Sequence, residues 1–411
     1  MSPAVAAKPL VIVVINRWDD DFALYGDYMD HDFHQVVYLT TVAGRVRVPV
    51  ERARAVFELE PDYTSDQLLV LSREVLSRFG RIDRIIAMSE VDLPKAAFLR
   101  DELGVPGPGQ AQTRVLVDKV EMKRAVQGAG LRAPRYLECK DIEAVSAFAA
   151  ELGCPVILKP KVGAASHGVH AVLSRTALGH LLRSIDLNDY ECEEFIAGTI
   201  LHVDGIVCDG AFGLCVASRY INSCLVFNSG VPLGSVFVDD EAMQARIRRF
   251  TAQALQALNL RDGAFHLELI HSESDELVFL EINARVGGGE ITFLMRDLFE
   301  IDLVGAWVRQ QVDGRLHLPR KDVRGTCGGF LMVPEPDQIP SELLQRTAQI
   351  GHVPHLYKEI LPEVGHVFRG DGGYENIAGR YRFSGPDSAA VERSIYAVLA
   401  GFDMQLRRAT S

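Results

Sequence analysis

Residues 276–290 read ELVFLEINARVGGGE. The run 277–283 is apolar enough for a buried strand. Yet Glu281, Asn283 and Arg285 fall at every second position, and the tract closes on Gly287, Gly288, Gly289 and Glu290. Alternate residues of a strand share a face. The preceding AFHLELI (264–270) is built the same way, with His266 and Glu268 two apart. A two-residue turn at Ser274 and Asp275 would set Glu268 opposite Glu281. It would also bring His266, Glu268, Glu281 and Asn283 onto one face of a hairpin. Facing carboxylates repel, so a buried pair needs a cation or a shared proton. Two acids with an amide oxygen form a hard-oxygen set suited to Mg²⁺ that still contacts phosphates and water.

The rest of the chain bounds what such a site serves. Its 411 residues allow two or three domains, and 48% hydrophobic with 24% charged residues is an ordinary globular balance. A net charge of −12 argues against a nucleic-acid surface, which normally shows as a basic patch. Seven cysteines without a C-x-x-C pair argue against a disulfide framework or zinc site and favour a reducing cytoplasm. The apolar run 10–15 is too short for a signal or membrane segment and reads as a buried first strand.

Residues 10–15 and 84–90 read as parallel strands around a helix at 65–80, a β-α-β style that places ligands at the strands' carboxyl ends, where Arg17 and Glu90 lie. The LGVPGPG tract (103–109) is a boundary. One helix capped by Thr113 is then expected, with Lys119 and Lys123 on one face. Lys159 ends a strand that runs into a small-residue loop, 163–168, whose N–H groups can close over phosphate oxygens. Residues 190–196 read as another strand, and 201–219 as a hairpin turning at Asp209 and Gly210. Basic loop and acidic hairpin together describe a magnesium-nucleotide site.

The ordered set Asp118-Lys119, Lys159, Ser166-His167-Gly168, Glu193-Glu194-Phe195-Ile196, Glu268 and Glu281-Ile282-Asn283-Ala284-Arg285 resembles the ATP-grasp superfamily of carboxylate–amine ligases. The segment 88–107 and His266 resemble the amino-acid ligases within it. The resemblance implies an α/β chain. An N-terminal Rossmann-like domain (1–110) would precede an ATP-grasp domain (111–320), two α+β subdomains gripping ATP. A small C-terminal α/β unit (321–411) would complete the ligase. It implies Lys119 and Lys159 on the α- and β-phosphates and the loop with Ser166, His167 and Gly168 over the β/γ end. Glu193, Glu194, Phe195 and Ile196 would meet the adenine edge, and His202 the ribose. Glu268, Glu281 and Asn283 would hold Mg²⁺, which Mn²⁺ could replace, and Arg285 would steady the transferred phosphoryl group.

The activity so implied forms an amide through an acyl phosphate and releases ADP and phosphate. Its partners would be a small-molecule carboxylate and an amine, at least one of them an amino acid, with no nucleic acid and no membrane, and with room for a homodimer. Arg17 and Glu90 are candidates for the substrate's carboxylate and ammonium. His266, Gly287, Gly288, Gly289 and Glu290 are candidates for the rest of the pocket. The competing readings are a biotin carboxylase-like enzyme, a carrier-protein-directed acyl ligase and a nucleotide-binding regulator without chemistry. Retention of both acids, the amide and Arg285 weighs against the last.

Overall fold

The computed structural model describes residues 8–163, 166–227, 229–319, 325–337, 339–370 and 377–409. The apolar runs of the first hundred residues form a parallel sheet of β1 (Val11–Asn16), β2 (Gln35–Thr41), β3 (Ala55–Leu59) and β4 (Arg84–Ala87), in the order β3-β2-β1-β4. Every residue of β1 is buried, as a parallel sheet covered on both faces requires. Helix Ser65–Phe79 starts on a Thr64–Gln67 capping box and stops at Gly80 in the left-handed region. The chain order reverses between β1 and β4, which pair Ile15 with Ala87. The segments carrying Arg17 and Glu90 therefore leave the sheet at its switch point, where such sheets hold ligands.

The single helix expected after Thr113 is two helices, Gln110–Val115 and Lys119–Gly128. Asp118 accepts the N–H groups of Val120 (2.9 Å) and Glu121 (3.3 Å), while the Lys119 N–H donates to the Lys161 carbonyl (2.8 Å). That cap turns the chain at 116–118 and leaves Thr113 inside the first helix.

An antiparallel sheet of β5 (Tyr136–Glu138), β6 (Val156–Pro160), β7 (His170–Val172) and β8 (Tyr190–Glu194) follows, ordered β5-β8-β6-β7. The longest strands come next: β9 (Gly198–Cys208), β10 (Ala211–Tyr220), β11 (Leu233–Phe237), β12 (Gly263–Ser272) and β13 (Leu277–Asn283). The C-terminal segment adds β14 (Cys327–Pro334), β15 (Ser341–Arg346), β16 (Leu356–Ile360), β17 (Val367–Phe368), β18 (Ile377–Gly385) and β19 (Met404–Arg408). One eight-stranded sheet runs β13-β12-β9-β10-β11-β14-β18-β16, and β17-β15-β19 form a separate small one. The C-terminal segment thus shares its main sheet with the centre of the chain.

Two hairpins set the register of this large sheet. Asp209 and Gly210, both at positive φ, join β9 to β10 as a two-residue turn. The β12–β13 connection differs from expectation. Ser272 pairs with Glu276 around a three-residue loop, with Asp275 left-handed at φ 62°. A bulge at Leu280 then restores the pairing of Glu268 with Glu281 and His266 with Asn283. One face of β9 and β12 presents Leu201, Val203, Phe265, Leu267 and Leu269 to helix Glu241–Ala257, which buries Ile247, Phe250 and Ala254 there. Alternation leaves His202, Asp204, His266 and Glu268 on the opposite face.

Candidate active site

On that face, three neighbouring strands contribute two rows. Glu268 lies between His202 on β9 and Glu281 on β13, and His266 lies between Asp204 and Asn283. The imidazoles are tied inward. His202 Nδ1 meets Asp204 Oδ2 (2.6 Å) and its Nε2 meets Ser235 Oγ (2.7 Å). His266 Nδ1 meets Asp204 Oδ1 (2.8 Å) and its Nε2 lies 3.4 Å from Glu268 Oε1. Burial opposes a charge on His266, but Asp204 and Glu268 outweigh it and push its pKa up to about 10. Asp204 is itself held well below the usual carboxylate range, since the two imidazoles outweigh its burial. Glu268 also accepts from the Tyr220 hydroxyl at 3.1 Å.

One correction follows. Both nitrogens of His202 are taken by protein partners, so the ring does not offer itself to a ribose. His266 sits beneath Glu268 and supports it.

A cleft of about 430 Å³ opens above Glu268 and Glu281. Its walls include Lys119, Lys159, Ser166, His167, Phe195, Ile196 and the segment 220–225. Lys119 Nζ donates to the Gly163 carbonyl (2.7 Å) and lies 3.3 Å from Glu281 Oε2, so the loop's first residue is pinned beside the acidic hairpin. Lys159 Nζ lies 2.8 Å from Glu193 Oε1. Lys123, fully buried, pairs with Glu191 and lies 2.7 Å from Glu193 Oε2. Burial would raise the pKa of Glu281, but Lys119 and Lys159 outweigh it and keep the carboxylate ionised. Lys159 is raised despite its burial, chiefly by Glu193 and Glu191.

The Glu193 carboxylate therefore faces the lysines rather than an adenine edge. That of Glu194 accepts from Arg132 (2.8 Å) and the Arg135 N–H (3.0 Å). Phe195 and Ile196 remain as lining. Ser166 adopts φ 56° and Gly168 φ 70° in the loop. Ala164 and Ala165 lie outside the described residues, and Gly168 does not line the cleft.

Beyond the cleft, Arg285 does not stand alone. Its Nε and Nη2 lie 2.9 and 2.8 Å from Glu90 Oε2. With its amide nitrogen turned toward Glu90, Asn283 donates to both carboxylate oxygens (2.9 and 3.1 Å). Arg17 is not free either: it grips the buried Asp92 with two bonds (2.8 and 2.9 Å) and stacks on Tyr63. Glu290, fully buried, is held by Arg382 and, at 3.6 Å, by Arg380. Glu290 is not open to a substrate, and Arg17 is already committed to Asp92.

The glycine run has its own reasons. A Cβ on Gly287 would lie 2.3 Å from Asp204 Oδ1 and 3.0 Å from His266 Nδ1, and Gly289 needs φ 59°. Gly287 is thus required by the imidazole–carboxylate set beneath it.

Residues 116–289 match the family model of the ATP-grasp domain. That stretch of the chain carries an ATP-grasp domain. It is 26% identical over 307 residues to an L-arginine-specific L-amino acid ligase of Bacillus subtilis, covering 70% of this chain and 73% of that one. It is 24% identical over 248 residues to an alanine–anticapsin ligase of the same organism, across 54% and 52% of the two chains. The match thus spans about half the length of the second relative. The crystal structure of an L-amino acid ligase from Bacillus licheniformis superposes with a TM-score of 0.75, at 15% identity, over 98% of this chain and all of that one.

Within this ATP-grasp fold the donor chemistry suits a hard divalent cation. Glu268 and Glu281 are direct cross-strand partners in one cleft, and Asn283 follows on the same face with its nitrogen already taken by Glu90. Several residues of the ATP-grasp site had no motif to announce them. Asp204, Lys123, Glu191, Tyr220 and the segment that follows it come from different strands, a helix and a loop. Lys123 left a trace in sharing a helix face with Lys119, and Asp204 left one as an acid alternating with His202 on an otherwise apolar strand. All seven cysteines are free thiols, and among the described residues no helix is long and apolar enough to cross a membrane.

Proposed function

We propose that this ATP-grasp ligase activates the carboxylate of an amino acid and joins it to an amine on a second small molecule. The observation that carries the reading is a chain of contacts running from the cleft to a charged pair. Lys119 and Lys159 stand over Glu268 and Glu281, and the Glu90–Arg285 pair lies beyond Asn283. A zwitterionic amino acid offers one charge to each member of that pair. Its ammonium can take Glu90 while its carboxylate takes Arg285.

Lys119 and Lys159 bind the phosphates of ATP, whose desolvated charge they offset, and Ser166 and His167 cover the phosphate end. Glu268, Glu281 and Asn283 would hold Mg²⁺, which when bound offsets charge on the transferring phosphoryl group. The substrate carboxylate oxygen attacks the γ-phosphorus, the bond to the β-phosphate oxygen breaks, and ADP leaves. Arg285 offsets charge on the transferred group. The amine then attacks the carbonyl carbon of the acyl phosphate. Phosphate departs, and the ammonium proton is lost to give a neutral amide. Covering the site keeps water from the acyl phosphate. Tyr220 and His266 fix Glu268 so that it needs no rearrangement.

Phosphate release, measured with ATP, Mg²⁺ and amino acids singly and in pairs, tests the reading. Release with one class of pairs, and an amide of the matching mass, is expected. Release stimulated only by bicarbonate or by non-amino acids would overturn the amino-acid assignment while sparing the ATP site.

A further inference from the structure

A second cavity, of about 520 Å³, lies behind the hairpin between β4, the tract 106–108, the turn 259–263 and helix Leu303–Asp313. None of the residues assigned to the reaction lines it. It opens on Arg84, Ile85 and Ile86 of β4 and on Leu93, and neither Glu90 nor Arg285 lines it. Its walls are largely apolar, with Ile86, Leu116, Ala284 and Trp307 among them, but they carry three arginines (Arg84, Arg100, Arg261) against a single acid, Asp262. In a protein of net charge −12 that local excess runs against the background.

The arginines' partners are telling. Arg100, buried, donates to the carbonyls of Pro108 (3.1 Å) and Ile85. Arg84 donates to those of Gln311 (2.9 Å) and Asp83 (2.8 Å). Main-chain carbonyls fasten both side chains without neutralising them, and each guanidinium keeps three of its five donors. Asp101, next in sequence to Arg100, is exposed and turned to Gln110. Burial lowers the Arg100 pKa to about 10, outweighing the opposing pull of Asp101, the response of a buried cation with too little counter-charge. Gln310 adds a second unsatisfied group. It is buried and lines the cavity, and its Nε2 is taken by the Val207 carbonyl (2.7 Å), while its Oε1 has no partner. Buried acceptors are seldom left so without a donor to fill them.

We propose that this cavity is a second ligand site, for a small organic acid with an apolar body and one hydrogen-bond donor, such as an α-hydroxy or α-amino acid with an apolar side chain. The carboxylate meets Arg84 and Arg100, the donor meets Gln310 Oε1, and the body packs on Trp307 and Leu116. The volume is that of a small-molecule pocket. Ala284 in its wall precedes Arg285, and Ile86 lies four residues before Glu90, so an occupant would adjoin both supports of the active-site ion pair.

Isothermal titration of the whole chain with L-3-phenyllactate, L-phenylalanine and 3-phenylpropionate tests this, repeated in Arg84→Gln and Gln112→Trp. The first removes one anion-binding fork, and the second fills space from a partly exposed wall position. Phenyllactate is expected to bind wild type and to bind Arg84→Gln at least ~tenfold more weakly. Phenylpropionate, lacking the donor, should be the weaker acid. The same titration in Arg285→Ala should retain phenyllactate binding, which separates this site from the catalytic one. Failure of all three acids to bind wild type at millimolar concentration would overturn the proposal. Equal affinity in wild type and both cavity variants would overturn it as well. If Arg84→Gln does not fold, Gln112→Trp alone decides.

Discussion

Two arginine–glutamate pairs flank the glycine run, and they differ in what surrounds them. Arg382 and Glu290 are 5% and 0% exposed; Asp297 (2.8 Å) and the Phe293 ring complete the arginine's shell. Arg285 and Glu90 are 17% and 14% exposed, and the glutamate's other donor is an amide from the hairpin. The first pair is closed on every side by protein. Burial would lower the Arg382 pKa, but Glu290 and Asp297 outweigh it and raise it. The second pair is within reach of a ligand. Breaking a closed buried pair removes stability, whereas an accessible pair can exchange partners with a substrate at modest cost.

Two variants set that difference at its sharpest. Arg285→Ala should lower turnover by roughly 10²–10³-fold, the range for losing one donor to developing charge, and move the melting temperature little. A phosphate-release assay beside a melting curve reads both, and normal turnover would remove Arg285 from the mechanism. Glu290→Gln should do the reverse. Leaving Arg382 buried and under-compensated should cost about 3–5 kcal/mol in urea unfolding, with KM for ATP preserved in the folded fraction. Intact stability with lost turnover would erase the distinction between the pairs.

Much of this is legible in the sequence, and the hairpin shows why. A two-residue turn and the observed three-residue loop differ by one residue, which ought to flip every side chain. The bulge at Leu280 returns that residue, so Glu268 still faces Glu281. Period-two alternation of apolar and polar residues is a stronger constraint than the turn. Partnership was not legible. Glu90 and Glu290 read alike as acids near the site. What separates them is Arg285, 195 residues from the one, and Arg382, 92 residues from the other. His202 was misread for the same reason, since only the fold brings Ser235 to its second nitrogen. Local pattern reports which face a residue occupies, not which distant group has already claimed it.

If the accessible pair receives the substrate, Glu90→Gln should separate its two charges. The amide can still accept from Arg285 but carries no charge for an ammonium. KM for the amino-acid substrate should rise about tenfold, with KM for ATP unchanged. Equal losses on both substrates would make Glu90 a structural partner like Glu290.

The smallest effect tests the closed kind of pairing where two acids share two cations. Burial would raise the pKa of Glu193, yet Lys123 and Lys159 outweigh it and hold it below the ordinary value of 4.5. Glu191 goes the other way, because burial dominates over the same two lysines, and its Oε2 has no hydrogen-bond partner. The signs oppose. A depressed folded pKa gives stability that is present above 4.5 and lost as pH falls through the folded value. A raised one lets the native state take up a proton first, so stability grows as pH falls toward 4.5. In wild type the two partly cancel. Glu191→Gln removes the compensating term and leaves Glu193 with both lysines. Its unfolding free energy should therefore fall more steeply than wild type on acidification below neutrality, by on the order of 1 kcal/mol. Urea unfolding at neutral pH and near pH 4 measures the difference. Superimposable pH profiles would mean that the two glutamates titrate alike, and that a closed ion cluster does not sort its acids as these contacts require.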